Sequence, residues 1–315
     1  MRRAALIYNP ASGQQSARRS AAVSEILAVL RAAGVEAKAF ETGAPGSATA
    51  LAAQAAREGY DTVLACGGDG TVHEALQSLV GTEVVLGVVP LGTANALASS
   101  LKLIAPPAKV ARRLLKSTPT RVSVGRIHYT DDANQSASRY FLVAAGAGAD
   151  ALLMSRLDTR LKRRLGYVLY LIEALRIWAT SPFPLFEAVL PTNGGGERTL
   201  KVSQLLAVRI RSFGGVLHTL APGASLCNGN LSLLAFKTQS RLSYLKFMLA
   251  AVIRRQSFKR AIELVETPSI AMCVLAGSRE PLFVEADGEV LGRLPARMEV
   301  VPHSLTLLVP HGVEP

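Results

Sequence analysis

Residues 62–66 read as one continuous apolar strand, and they pass without a spacer into Gly67-Gly68-Asp69-Gly70-Thr71 and then into helix-patterned residues 72–79. A strand without polar alternation suits a parallel sheet covered on both faces. Glycines between such a strand and a helix let backbone N–H groups approach an anion, and the helix dipole favours negative charge there. This junction narrows the first part of the chain to an α/β fold with an anion-binding turn.

The neighbouring segments repeat the pattern. Residues 4–8 form a short apolar strand followed by Asn9-Pro10-Ala11-Ser12-Gly13. Val23, Ile26, Leu27 and Leu30 then recur at helical spacing, and Gly34 supplies a stop. Residues 35–42 read as a strand, and Ser47 caps an alanine-rich helix that fades at Gly59. Residues 84–89 form the next strand, followed by Pro90-Leu91-Gly92-Thr93-Ala94-Asn95 and a helix opening near Ala94. This order predicts an open α/β sheet with ligands beyond the carboxyl ends of its strands.

One glycine-rich turn is often merely structural. Three on the strand-to-helix side of one domain point instead to a phosphate cradle. None is a Walker A loop or a G-x-G-x-x-G fingerprint. A carboxylate inside such a cradle repels phosphate unless a cation joins them, so Asp69 is expected to ligate nucleotide-borne Mg²⁺ directly or through water. His73 and Glu74 follow the glycine loop. The plainer role for His73 is a polar residue in a helix's first turn, and Glu74 either caps that helix or faces the metal.

Past Thr118 the texture changes. Residues 121–129 and 139–144 read as strands around a polar loop, and 153–180 as one long basic helix ended by Pro182 and Pro184. Strand-like runs dominate from Phe186 on, with a further helix near 242–255. The expectation is an α/β domain over 1–119, joined by a returning segment at 305–315, and a β-sandwich domain over 120–304.

Lysine and arginine outnumber acids 35 to 23, a net charge of +12, which favours nucleotides, phosphates or an anionic membrane surface. Aromatic residues make up 5% and never interleave with a basic patch, so nucleic acid is not expected. Cys66, Cys227 and Cys273 are scattered, which points to neither a disulfide framework nor zinc and to a cytoplasmic setting. No apolar run reaches the roughly 20 residues that cross a bilayer, and no signal peptide is evident. Membrane contact is therefore expected to be peripheral, at the inner face. Residues 156–178 either lie on an anionic membrane or pack an apolar stripe on the sandwich, and 244–260 pose the same choice. A homodimer is compatible with the sequence.

The motifs Asn9-Pro10-x-Ser12-Gly13, Gly67-Gly68-Asp69-Gly70-Thr71, Pro90-x-Gly92-Thr93-x-Asn95, Gly146-x-Gly148-x-Asp150, Gly214-Gly215 with Ala221-Pro222, and Asp287-Gly288-Glu289 resemble, in order and spacing, the diacylglycerol kinase catalytic domain family of bacterial lipid kinases, sphingosine kinases and ceramide kinases. The Gly-Gly-Asp-Gly turn also occurs in phosphofructokinases and NAD kinases; the Gly92–Asn95 loop and the late Asp-Gly-Glu select lipid kinases. The resemblance implies a phosphofructokinase/NAD kinase-like α/β domain, a C-terminal β-sandwich, and ATP in a cleft between them. It places Asn9, Ser12, Gly13, Thr42, Gly67–Thr71, Gly92, Thr93 and Asn95 at ATP and Asp69 at Mg²⁺. Glu289 becomes the base that takes the proton of a diacylglycerol-like or sphingoid hydroxyl, with Asp287 orienting it or joining the metal network. Taken alone, Asp287-Gly288-Glu289 is also a favoured hairpin turn.

Three departures stand out. Ala96 follows Asn95 where many bacterial members have aspartate, and Gln14-Gln15 replace a lysine after Ser-Gly, leaving Arg18 or Arg19 as substitutes. The turn that binds a structural Mg²⁺ in some bacterial members usually reads Asp-Gly-Leu; here it is Asn228-Gly229-Asn230. An uncharged Asn228 predicts a weak or empty second metal site. The competing readings are a soluble-metabolite kinase of the NAD kinase type and a nucleotide- or lipid-binding regulator without catalysis.

Overall fold

The computed structural model describes residues 1–10, 16–156, 175–180, 182–192, 194–213, 220–252, 261–277 and 282–315. The chain divides into two compact units, one comprising residues 1–124, 225–227 and 302–315, the other 125–224 and 228–301.

Unit 1 alternates β1 (Arg3–Tyr8), α1 (Ser16–Ala32), β2 (Glu36–Glu41), α2 (Ser47–Arg57), β3 (Thr62–Gly67), α3 (Asp69–Leu79), β4 (Val85–Pro90), α4 (Ala96–Ser100) and α5 (Pro107–Leu115). The sheet is parallel, with β1 between β2 and β3, and β4 beside β3. Every residue of β3 is buried, as its unbroken apolar run requires. Because the strands are parallel, their carboxyl ends (Tyr8, Glu41, Gly67 and Pro90) share one edge. The sheet closes with a late segment: in β15 (Glu289–Val309), Thr306 and Leu307 run parallel to Val85 and Leu86 of β4.

Two local readings need revision. The α2 N-cap is Gly46 in the left-handed region, not Ser47, whose hydroxyl bonds back to Ala44. Helix α5 was not anticipated, although Pro107 opens it and Val110, Ala111 and Leu114 face the core at helical spacing.

Strand β5 (Thr118–Thr130) runs from unit 1 into unit 2. Unit 2 then contains β6 (Ser136–Phe141), β7 (Ala144–Gly148), α6 (Ala149–Arg156), β8 (Phe186–Pro191), β9 (Glu197–Val202), β10 (Gln204–Val208), β11 (Leu231–Phe236), α7 (Arg241–Val252), β12 (Ile262–Thr267), β13 (Ser269–Val274), β14 (Phe283–Ala286) and the first part of β15. One antiparallel set runs β12-β11-β10-β7-β14-β15, another β9-β8-β13-β15. Phe186, Leu205, Leu233, Met272, Val284 and Met298 from both sets share one core, the signature of a sandwich. The expected single strand over 139–144 is two strands broken at Leu142–Val143. Of the expected helix over 153–180, residues 149–156 and 175–180 are helical, and 157–174 lie outside the described residues.

Candidate functional site

In unit 1 the strand ends carry most of the predicted nucleotide residues. Asn9 follows β1, Thr42 follows β2, Gly67 ends β3, and the Gly92–Asn95 turn follows β4. Ser12 and Gly13 lie outside the described residues. The second and third loops are in backbone contact: a Cβ on Gly92 would stand 2.4 Å from the Gly68 Cα. A Cβ on Gly67 would stand 2.3 Å from the Thr71 hydroxyl oxygen, which folds over it. Glycine is therefore required at 67 and 92 by space alone, and the absence of side chains leaves the backbone accessible.

Polar contacts fix the same junction. The Asp69 carboxylate accepts the Ala96 amide at 2.8 Å, so the first residue of α3 caps the first turn of α4. Asn95 sits in the left-handed region (φ 52°). Its side chain accepts the Gly92 amide at 3.1 Å and donates to the Gly92 carbonyl at 2.8 Å. Thr93 and Ala94 at the crest of this loop are exposed. Thr42 is buried, and its amide donates to the Tyr8 carbonyl at 2.8 Å. The Tyr8 hydroxyl donates to Glu41, and that hydrogen bond holds the phenol above its usual pKa.

Helix α3 also settles the two residues after the glycine loop. His73 is 2% exposed and lies on the face that buries Val72, Ala75, Leu76 and Leu79. The Glu74 carboxylate accepts the Ala48 amide at 3.0 Å, and its carbonyl accepts the Thr49 hydroxyl at 2.8 Å. Glu74 thus caps the neighbouring α2 rather than its own helix.

In unit 2, Ala286 pairs with Glu289 across a two-residue hairpin, Asp287-Gly288, with both φ values positive (49° and 84°). That is the geometry Asp-Gly is suited to. The turn is also anchored. Asp287 accepts the amides of Leu142, Val143 and Ala144 at 3.0, 2.8 and 3.1 Å, and its own amide donates to the Ala144 carbonyl at 2.8 Å. These bonds explain why β6 and β7 separate at Leu142–Val143. Glu285, 4% exposed, accepts the Gly288 amide at 2.9 Å. Glu289 is exposed at the start of β15. An accessible carboxylate on a turn held by two others can receive a proton from a docked hydroxyl.

Glu285 was not foreseen; a carboxylate two residues before the motif carries no signal beyond its place in an apolar strand. Gly146 pairs with Glu285, and a Cβ on Gly148 would strike the Ser203 carbonyl at 2.5 Å. The Asp150 side chain and Gly214-Gly215 lie outside the described residues.

Among the described residues no three His, Cys, Asp or Glu side chains gather into a metal cage. Asp69 nevertheless fits a Mg²⁺ carried by a nucleotide, because such an ion keeps its waters and phosphate oxygens and needs only one or two carboxylates. Asn228 would bring a second ion only an uncharged side-chain oxygen. Its side-chain amide donates to the Gly223 carbonyl at 3.0 Å, and its own carbonyl accepts Arg209 at 3.1 Å.

Two family models cover the chain in succession: the diacylglycerol kinase catalytic domain over residues 3–127 and the YegS C-terminal NAD kinase beta sandwich-like domain over 142–309. A diacylglycerol kinase of Bacillus subtilis (strain 168) is 26% identical over 317 residues, 98% of this chain and 97% of that protein. One from Staphylococcus aureus (strain MRSA252) is 26% identical over 99% of this chain and 94% of its own length. Among solved structures, a diacylglycerol kinase from Bacillus anthracis str. Sterne superposes with a TM-score of 0.71 at 19% identity, covering 99% of this chain and 98% of that one. Yeast NADH kinase complexed with NADH superposes with a TM-score of 0.50 at 12% identity, over 98% and 83%. At such identities the structural likeness speaks to the fold.

Proposed function

Since the chain belongs to the diacylglycerol kinase catalytic domain family, a family of kinases, we propose that it transfers the γ-phosphoryl group of ATP, with Mg²⁺, to the hydroxyl of a diacylglycerol-like or sphingoid lipid. The observation that carries this reading is the junction of the Gly67–Thr71 and Gly92–Asn95 loops, bare of side chains where Gly68 meets Gly92 and clamped by Asp69.

In this reading Asn9, Ser12, Gly13, Thr42, the Gly67–Thr71 loop, Gly92, Thr93 and Asn95 hold the nucleotide. Asp69 holds Mg²⁺, which offsets charge on the phosphates when bound. Glu289 accepts the acceptor's hydroxyl proton while the new O–P bond forms. The bond from the γ-phosphorus to the β–γ bridging oxygen breaks, and ADP departs with that oxygen. Asp287 and Glu285 keep the Glu289 turn in place.

The acceptor is proposed to be reached at a membrane's inner face, from the cytoplasm, by peripheral contact. Net charge +12 favours anionic headgroups, and no helix among the described residues is long and apolar enough to cross a bilayer. Of the basic segment 156–178, which the sequence leaves either on an anionic membrane or packed on the sandwich, residues 157–174 lie outside the described residues.

Purified protein with ATP, Mg²⁺ and a panel of diacylglycerol, monoacylglycerol, sphingosine, ceramide and NAD tests the proposal. Phosphorylation of a lipid supports it. Turnover with NAD alone sinks the lipid assignment, and nucleotide binding without any turnover sinks catalysis.

A further inference from the structure

Two carboxylates stand on the edge where the parallel strands of unit 1 end, and they cannot share one role. Asp69 lies at the glycine junction of β3 and β4. Glu41 ends β2, which pairs with β1 on the side away from β3. In the strand order β2-β1-β3-β4 the winding reverses between β1 and β3, and ligands of open α/β sheets bind at such a reversal. Adjacent strands lie about 4.8 Å apart, so the end of β2 is roughly 10 Å from Gly67. That span is comparable with the reach from the phosphate chain of an extended nucleotide to its sugar.

Glu41 is exposed, yet its carboxylate has a set direction. The Tyr8 hydroxyl donates to it from the last residue of β1, and Ser20 of α1 hydrogen-bonds the same phenol. Tyr8 is buried, and its bond to Glu41 holds the phenol above its usual pKa, so it remains a donor at neutral pH. The Tyr8 carbonyl accepts the Thr42 amide at 2.8 Å, which fixes the residue after Glu41 as well. Among the described residues no other group donates to this carboxylate. An ionised carboxylate has about four acceptor positions, and the phenol fills one.

Charge decides what such a group can recognise. It repels phosphate and accepts only from donors, which on a nucleotide are the sugar hydroxyls and the base amino group. The sugar is the nearer of the two to the phosphates. In dinucleotide-binding sheets a carboxylate reached in the same way, after the phosphate loop, its helix and the next strand, accepts a ribose hydroxyl. On the nucleotide reading of unit 1, we infer that Glu41 accepts the ribose hydroxyls of the bound nucleotide and that Tyr8 is its positioning residue. The site therefore selects ribonucleotides over their deoxy forms.

Calorimetry of the full chain with Mg²⁺ and ATP, 2′-deoxyATP or 3′-deoxyATP is the deciding measurement. Wild type should bind ATP about tenfold or more tightly than at least one deoxy form, the margin of a hydrogen bond to a charged group. Glu41→Ala, at an exposed position, should keep its Tm and bind all three alike. Tyr8→Phe should narrow the ratio and leave deoxynucleotide affinity in place, a pattern that loosened packing alone would not produce. Equal binding of the three by wild type, or an undiminished ratio in Glu41→Ala, would overturn the inference. So would a wild type that ignores the sugar but binds ITP about tenfold more weakly than ATP, since the carboxylate would then face the base. A wild type that binds no ATP at all would instead sink the nucleotide reading, and the inference with it. Should Tyr8→Phe fail to fold, Glu41→Ala decides alone.

Discussion

The carboxylate of Asp69 accepts the backbone amide of Ala96, 27 residues further along the chain, at 2.8 Å. One side chain therefore caps a helix and, in the proposed reaction, faces the nucleotide's metal. Substitution separates the roles. Asp69→Asn keeps an oxygen for the cap but loses the charge. It should unfold within about 1 kcal/mol of wild type while phosphoryl transfer falls by about two orders of magnitude or more. Asp69→Ala should lose as much activity and a further ~0.5–2 kcal/mol of stability. Melting curves beside initial rates read both effects. Equal activity in wild type and Asp69→Asn would leave only the cap.

Gly92→Ala tests the contact between loops. The new methyl would sit 2.4 Å from the Gly68 Cα and 2.8 Å from the Asn95 side-chain oxygen, so a loop must move. The cost should be roughly 1–3 kcal/mol, with nucleotide binding by calorimetry weakened tenfold or more. Gly43→Ala is the control, because nothing lies within 4 Å of its added methyl. It should bind nucleotide like wild type.

At the hairpin of unit 2, Glu289→Gln and Asp287→Ala should fail in different ways. Glu289 is exposed, so its amide variant should keep wild-type Tm and nucleotide affinity while kcat drops about 10²–10⁴-fold. Asp287→Ala strands three amides at once, and should cost roughly 2–5 kcal/mol by chemical denaturation. Wild-type turnover in Glu289→Gln would remove it from the base role.

Cysteine labelling reports on unit 1. Cys66 is buried in β3, and burial pushes its thiol far above the ordinary range. Cys227 and Cys273 are exposed. A thiol reagent at neutral pH should modify those two rapidly and Cys66 only after denaturant is added. Mass spectrometry of labelled peptides distinguishes the sites, and rapid native labelling of Cys66 would contradict the packed sheet.

Acid sensitivity should include a contribution from Glu263 in unit 2. Its carboxylate meets Lys237 at 2.9 Å and Arg198 at 2.7 Å. The hydrogen bond to Lys237, aided by Arg198, holds its pKa below the usual carboxylate value. A lowered folded pKa means the stabilisation is present above the unfolded value of about 4.3 and disappears as pH falls through the folded one. Glu263→Gln should thus flatten the pH dependence of Tm between about pH 3 and 5 and leave the rest of the profile in place. An unchanged slope would mean that the trio contributes nothing.

The sequence made the unit 1 sheet legible because buried parallel strands and glycine turns leave contiguous local patterns. Residues 62–71 carry strand, turn and helix start in one stretch. The capping partners were not legible: the Ala96 amide meets Asp69, the Ala48 amide meets Glu74, and each pair joins residues more than twenty apart. The helix near Ala94 was visible, but α5 was missed because two prolines at its start and three basic residues mask its short apolar stripe. In unit 2 the Asp287-Gly288 turn could be read, whereas the break at Leu142–Val143 could not. It is made by a carboxylate more than 140 positions away.

The parallel pairing of Thr306 and Leu307 with β4 has a consequence for biosynthesis. A ribosome finishes residues 1–124 early, yet the sheet they build lacks an edge partner until residues 302–315 emerge. At roughly 5–20 residues per second, that wait lasts on the order of ten to forty seconds. Through this interval the β4 edge has no partner from its own chain, and an unpaired edge of that kind is a template for pairing with another strand.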